Sequence, residues 1–213
     1  MKNQYPGFFL VIEGIDGSGK STLANNLYLA LKKMGKDCLL TFEPTKGKWG
    51  SILRKSFTGA ERLSANEELG LFMKDRQDHL ENVIIPALKE GRTIICDRYY
   101  FSTAAYQGAR GLDPRAILAE SKAKFLEPDL CLLLEIAPEE AINRIRHGRK
   151  EQENNFEQLE YLKAVAKIYS TLKNGCICLD ANLPIEELTD LALKLILQHL
   201  EDKKLNKTSA VLT

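Results

Sequence analysis

Eight consecutive residues near the start of the chain combine the types and spacing needed to hold a run of phosphates. Gly14-Ile15-Asp16-Gly17-Ser18-Gly19-Lys20-Ser21 fits G-x-x-x-x-G-K-[ST]. It follows an apolar run and precedes a helical pattern, which is the context this motif requires. Gly14, Gly17 and Gly19 let the backbone curl so that its N–H groups point at phosphate oxygens. The helix that follows adds the positive end of its dipole. Lys20 supplies a mobile cation for the β- and γ-phosphates of ATP, and Ser21 a hydroxyl for Mg²⁺. Thr22 closes the nucleotide-binding run.

Two further clusters narrow the chemistry. Asp97-Arg98-Tyr99 follows the third apolar run, where motor and transporter ATPases commonly carry an Asp-Glu pair. No Asn-Lys-x-Asp guanine-reading motif and no Ser-Gly-Gly-Gln signature occurs. Ligands of doubly wound sheets bind at the carboxyl edge. If the third strand neighbours the first, Asp97 reaches the Mg²⁺ shell and Arg98 a second phosphate. The plainer alternative is a helix cap with its salt-bridge partner. Arg144, Arg146, His147, Arg149 and Lys150 end a helix opened by Pro138, and polar Gln152 to Asn155 follow. This reads as a mobile lid at about residues 144–155, bringing cations over a transferring phosphoryl group while excluding water. The competing reading is a solvated helix end whose cations offset the dipole.

The elements that must position these groups are legible as alternating patterns. Phe8 to Glu13, Cys38 to Phe42, Thr93 to Cys96, Leu130 to Leu134 and Cys176 to Leu179 are apolar throughout, as parallel strands covered on both faces should be. Leu23, Leu27, Leu31 and Met34 follow helical spacing, as do Leu188, Leu191, Ala192 and Leu195. Ser64 and Glu67 form a capping-box pattern opening a helix expected to reach Glu90, and Asp113-Pro114 is an N-cap followed by proline at the first helical position. The result is an α/β fold: a doubly wound, parallel, five-stranded sheet of the P-loop NTPase type, with a mobile lid.

At 213 residues, 44% apolar and 28% charged, the chain suits a single domain with a substantial core. The net charge of +1 gives no basic field for a nucleic acid polymer or an anionic membrane. The start at Met1 to Gly7 is short and polar for a signal peptide, and no apolar run reaches the ~18 residues of a membrane span. A soluble, cytoplasmic protein is expected, with residues 201–213 frayed and partly helical at their start. Five cysteines read as buried reduced thiols, with Cys176 and Cys178 sharing one strand face, not as a disulfide or zinc framework.

With these pieces in order, the sequence resembles the thymidylate kinase family over nearly the whole chain, from about Gly7 to Leu200. The likeness rests on Glu13 to Thr22, Phe42-Glu43-Pro44-Thr45, Leu71-Phe72-Met73-Lys74-Asp75-Arg76, Asp97-Arg98-Tyr99 and Ser102-Thr103-Ala104-Ala105-Tyr106-Gln107-Gly108. The resemblance implies phosphorylation of thymidine monophosphate by ATP with Mg²⁺, in dTTP biosynthesis, by a homodimer. It implies that Asp16 contacts the 3′-hydroxyl side of the acceptor, that Phe72 stacks on thymine and that Arg76 bonds its edge. It also implies that Thr103 reads the pyrimidine with Gln107 close by, that Tyr106 lies against the sugar, and that Arg54 and Arg98 bind the acceptor phosphate. Phe72 and Arg76 are four apart, hence on one helical face. Lys20, Arg98, Asp97 and the lid's Arg149 are the catalytic candidates, with Ser21 and Asp97 on the metal. A deoxynucleoside kinase is the same-chemistry alternative, with Glu43 as base for a hydroxyl acceptor. A nucleotide-dependent switch or partner-binding ATPase is the alternative from another class.

Overall fold

β1 (Phe8–Gly14) is buried at every position because its alternate side chains enter two different cores. Phe8, Leu10 and Ile12 pack with Leu23, Leu27, Leu31 and Ile196, while Phe9 and Val11 pack with Ile84, Leu88 and Val165. This two-sided burial explains a strand with no polar alternation. The computed structural model describes residues 1–59, 61–148 and 155–211.

β2 (Cys38–Phe42), β3 (Thr93–Asp97), β4 (Leu130–Glu135) and β5 (Ile177–Asp180) complete the sheet. Its order is β2-β3-β1-β4-β5, and every pairing is parallel. β1 and β3 are therefore neighbours, with Ile12 in register with Asp97. The chain leaving β3 and the loop leaving β1 emerge side by side at the carboxyl edge.

α1 (Lys20–Lys33) and α9 (Ile185–Val211) cover one face of the sheet. The other face is covered by α3 (Ala65–His79), a π-helical turn (Leu80–Ile84), α4 (Ile85–Lys89), α5 (Tyr100–Gly108), α6 (Pro114–Lys124) and α8 (Asn155–Leu172). α2 (Lys48–Thr58) packs on α3, and α7 (Pro138–Gly148) on α8. Ser64 and Glu67 close the capping box of α3, and Asp113 accepts from the Arg115 and Ala116 N–H groups at the start of α6.

The helix expected from Ser64 to about Glu90 runs continuously to Lys89, widening into the π turn just before Pro86. Proline lacks an N–H and its ring collides with the carbonyl four residues back, so a wider turn relieves the clash. Beyond residue 201, where a partly helical start is expected, α9 continues to Val211. Lys203 Nζ anchors the start of this stretch, donating at 2.7 Å to both Asp129 carboxylate oxygens and to the Gly7 carbonyl. All five cysteines are free; Cys38, Cys96 and Cys131 are buried, and Cys176 and Cys178 are half-buried on the same core.

Candidate active site

The loop from Gly14 to Gly19 joins β1 to α1 through three glycines at positive φ: 145°, 80° and 89° at Gly14, Gly17 and Gly19. A Cβ on Gly17 would meet the Ala141 carbonyl oxygen at 2.3 Å, whereas nothing lies within 4 Å of one on Gly19. The loop is thus pressed against α7 at one glycine and open at the other. Gly17, Gly19, Lys20, Ser21 and Thr22 line a chamber of about 850 Å³ that is also walled by Arg144, Gln158 and Tyr161. Gly14 and Ile15 instead line a separate cavity of about 120 Å³, and Ser18 is buried at 1% exposure.

Lys20 departs from the mobile cation expected. It is 5% exposed, and Nζ donates to the Ile15 carbonyl at 2.7 Å, with Ser18 Oγ at 3.5 Å. Burial at the base of the loop, aided by the Arg98 charge, lowers its pKa to about 7 against the pull of Asp16, Asp97 and Glu13. Ser21 Oγ donates to Asp97 Oδ2 at 2.5 Å, and Asp97 Oδ1 is buried with no hydrogen-bond partner among the described residues.

Arg98 is the one described non-glycine residue at positive φ, 72°, a conformation that costs energy in an ordinary residue and persists only where the surroundings impose it. Its N–H donates to the Ile12 carbonyl at 2.9 Å. Its guanidinium bonds Asp16 Oδ1 at 2.5 Å, Ser102 Oγ at 3.0 Å and Tyr106 Oη at 3.3 Å, and lies 4.9 Å from the Tyr106 ring centroid. The Asp16 N–H donates to Tyr106 Oη at 2.9 Å. Burial raises the Tyr106 pKa despite Arg98, so the phenol stays neutral and can accept these bonds.

Arg98, Asp16, Tyr106, Phe57 and Arg62 line both the large chamber and a second cavity of about 220 Å³. The second cavity is also walled by Phe72, Arg76, Thr103 and Gln107. The Phe72 ring lies 6.3 Å from that of Phe57, nearly parallel at 29°. Arg76 is fully buried: Nε and Nη2 grip Glu43 at 2.9 and 2.8 Å, and Nη2 donates to Thr103 Oγ1 at 2.8 Å. His79 Nδ1 backs Glu43 at 3.0 Å. Arg76 Nη1 and Gln107 Oε1 are buried without partners among the described residues, one a donor and one an acceptor.

Arg54 lines neither cavity; its Nη1 donates to the Pro44 carbonyl at 2.7 Å. Arg144 donates to the Ala181 carbonyl at 2.9 Å, and Arg146 is exposed. Arg149 and the rest of residues 149–154, half of the expected lid, lie outside the described residues.

Sequence reading missed the carboxylates that stiffen this site. Glu13 is fully buried; Oε1 accepts from the Tyr99 N–H at 2.9 Å and the Ser102 N–H at 3.2 Å, and Oε2 from Tyr169 Oη at 3.0 Å. It caps α5 from the end of β1, with its pKa raised by burial. Glu68, also fully buried, gathers Arg62, Arg110 and Gln107. An acid closing a strand apolar at every other position was the available signal for Glu13; nothing local marks Glu68.

A thymidylate kinase family model matches residues 12–192. A thymidylate kinase of Desulfotalea psychrophila is 41% identical over 182 residues, 82% of this chain and 90% of that protein. A probable thymidylate kinase of Archaeoglobus fulgidus is 39% identical over 198 residues, 92% of this chain and 97% of that protein. One from Brachyspira hyodysenteriae is 43% identical over 165 residues, 78% of this chain and 80% of its own. Phosphate loop, Asp97-Arg98 pair and arginine-floored cavity accordingly sit on a chain that belongs to the thymidylate kinase family.

Proposed function

We propose that the chain moves the terminal phosphate of ATP onto the 5′-phosphate of thymidine monophosphate, giving thymidine diphosphate for dTTP synthesis. The observation that carries this reading is the pair of unpartnered buried groups, Arg76 Nη1 and Gln107 Oε1, in a cavity that shares Arg98 with the phosphate-loop chamber. Thymine offers a carbonyl acceptor beside an N–H donor, which matches one guanidinium N–H and one amide oxygen. Phe72 provides an aromatic face for the ring, and Tyr106 a wall for the sugar.

The acceptor is a phosphate oxygen that is already ionised, so the reaction needs positioning and charge stabilisation more than a base. Lys20 and the loop N–H groups hold the donor phosphates; Arg98, between the cavities, meets the acceptor phosphate. Asp16 sits beside it for the sugar's 3′-hydroxyl. Ser21 and Asp97 fit Mg²⁺: a hydroxyl and a carboxylate converge, and the carboxylate has an unused oxygen. Held there, Mg²⁺ would act as a Lewis acid and draw charge from the phosphate oxygens. Arg149 is proposed as the lid cation, and a cytoplasmic homodimer as the working form.

Glu43 weighs against the deoxynucleoside kinase alternative, since its carboxylate is taken up by Arg76 and His79. A coupled assay over thymidine and a panel of nucleoside monophosphates tests the proposal. Turnover confined to thymidine, or ATP hydrolysis with no acceptor turnover, would overturn it.

A further inference from the structure

Gln107 ends in an amide whose two faces carry opposite instructions: an NH₂ group that donates and an oxygen that accepts. Which end meets a ligand depends on what holds the other. Gln107 Nε2 donates to Glu68 Oε2 at 3.1 Å, and Oε1 is left without a partner. A carboxylate can only accept when ionised, so an ionised Glu68 permits one orientation of the amide.

The surroundings of Glu68 keep it ionised. Its carboxylate takes Arg62 Nε at 2.8 Å, Arg62 Nη2 at 3.3 Å and Arg110 Nη1 at 2.5 Å. Burial works against the charge, but Arg62, Gln107 and Arg110 outweigh it and hold the pKa below the usual value. Arg110 is itself fixed by Nη2 on the Leu63 carbonyl at 2.7 Å, and the Arg62 guanidinium lies 5.4 Å from the Phe57 ring centroid.

Building on the proposed reading of the smaller cavity as the acceptor pocket, we propose that Glu68 is a positioning residue for base selection. By locking the Gln107 amide with its oxygen toward the base, it makes the pocket demand a ring N–H at position 3. A thymine or uracil ring supplies that N–H. A cytosine ring presents a lone pair there, oxygen against nitrogen, with no proton to share. Arg76 adds a separate demand for a carbonyl at position 4. The choice of pyrimidine is therefore made partly by a carboxylate that need not touch the ligand.

The test compares thymidine monophosphate with 5-methyldeoxycytidine monophosphate, which differ only along the edge at ring positions 3 and 4. In Glu68→Gln the neutral side chain can either donate or accept, so the Gln107 amide is free to turn over. The ratio of kcat/KM values for the two acceptors is expected to fall on the order of tenfold, with the KM for ATP unchanged. An unchanged ratio in the folded variant overturns the inference. If Glu68→Gln does not fold, because two arginines lose their counter-charge, Glu68→Gln with Arg110→Met removes one of them and is read the same way. The wild-type enzyme gives an independent reading through a thymidine monophosphate analogue carrying C–H in place of the N3–H. It should bind about tenfold more weakly than thymidine monophosphate, and equal binding overturns the inference. Failure of the wild-type enzyme to phosphorylate thymidine monophosphate at all would instead strike the proposed reaction, so the two failures are distinguishable.

Discussion

Glu13 and Ser102 stand 89 positions apart in the chain and are bonded twice: Glu13 Oε1 accepts from the Ser102 N–H at 3.2 Å, and Oε2 from its hydroxyl at 2.5 Å. The last side chain before the phosphate loop thus fixes the first turn of α5, which carries Thr103, Tyr106 and Gln107.

Glu13→Ala should accordingly do more than remove a cap. It leaves the Tyr99 and Ser102 N–H groups buried without an acceptor, at a cost of about 2–3 kcal/mol. Urea unfolding should show that loss. Steady-state kinetics should show higher KM values for both substrates, because β1 and α5 would no longer share a fixed spacing. A stability loss with unaltered kinetics would mean that the two elements are positioned by packing alone.

Lys20→Met keeps the buried stem and removes the charge. Turnover should fall on the order of 10²-fold or more, since a cation aimed at the transferring phosphate is lost. The fold should survive, for a reason opposite to that of an exposed loop residue: a buried lysine with a lowered pKa is a burden on stability. Near-normal turnover would sink the assignment of Lys20 to the phosphates.

The same lysine gives pH dependences of known sign. Its pKa is about 7 in the folded, ligand-free protein, against roughly 10.4 in an unfolded chain. Between those values the unfolded chain binds more protons, so this group makes stability rise with pH from about 7 to about 10.4. The full penalty applies below pH 7. That contribution to the slope should vanish in Lys20→Met. Phosphates arriving beside Nζ restore its proton, so ATP binding at pH 8 should take up close to one proton, and at pH 6 almost none. Calorimetry in buffers of different ionisation enthalpy measures this directly; equal uptake at both pH values would exclude Lys20 as its source.

Tyr106 separates two roles within one side chain. Tyr106→Phe removes the oxygen that accepts from Asp16 N and Arg98 but keeps the ring, so efficiency should fall about tenfold while deoxyribose preference holds. Tyr106→Ala also removes the wall, and the ratio between thymidine monophosphate and its ribose counterpart should shrink. Equal ratios in all three proteins would mean that the sugar is read elsewhere.

The sheet was legible because its inner strands, such as β1 and β4, are buried on two faces and write continuous apolar runs, and the partly buried edge strands β2 and β5 still carry short apolar runs. The phosphate loop was legible because its glycines and lysine answer to local backbone geometry. Arg76 was visible only by resemblance: its pattern is that of a surface cation, yet it is buried between the Tyr99 and Phe125 rings, 4.9 and 5.3 Å from their centroids. Glu68, Arg62 and Arg110 were invisible for a related reason. Charged residues in a polar stretch read as solvated, and only the folding of α3 against α5 makes them partners. The π turn before Pro86 was not read from the sequence, where the proline inside a helical run was the available signal of a local departure from α geometry.

Arg98 belongs to the walls of both cavities, and that shared ownership limits how the enzyme can be inhibited or retuned. On the proposed reading this one guanidinium faces an anion from each side, so the charge it lends to the first is partly spent when the second arrives. A compound spanning both cavities should bind less tightly than its two halves, measured separately, would suggest. The same coupling is reciprocal: any substitution that sharpens the grip of Arg98 on one ligand necessarily alters its hold on the other, and neither affinity can drift alone.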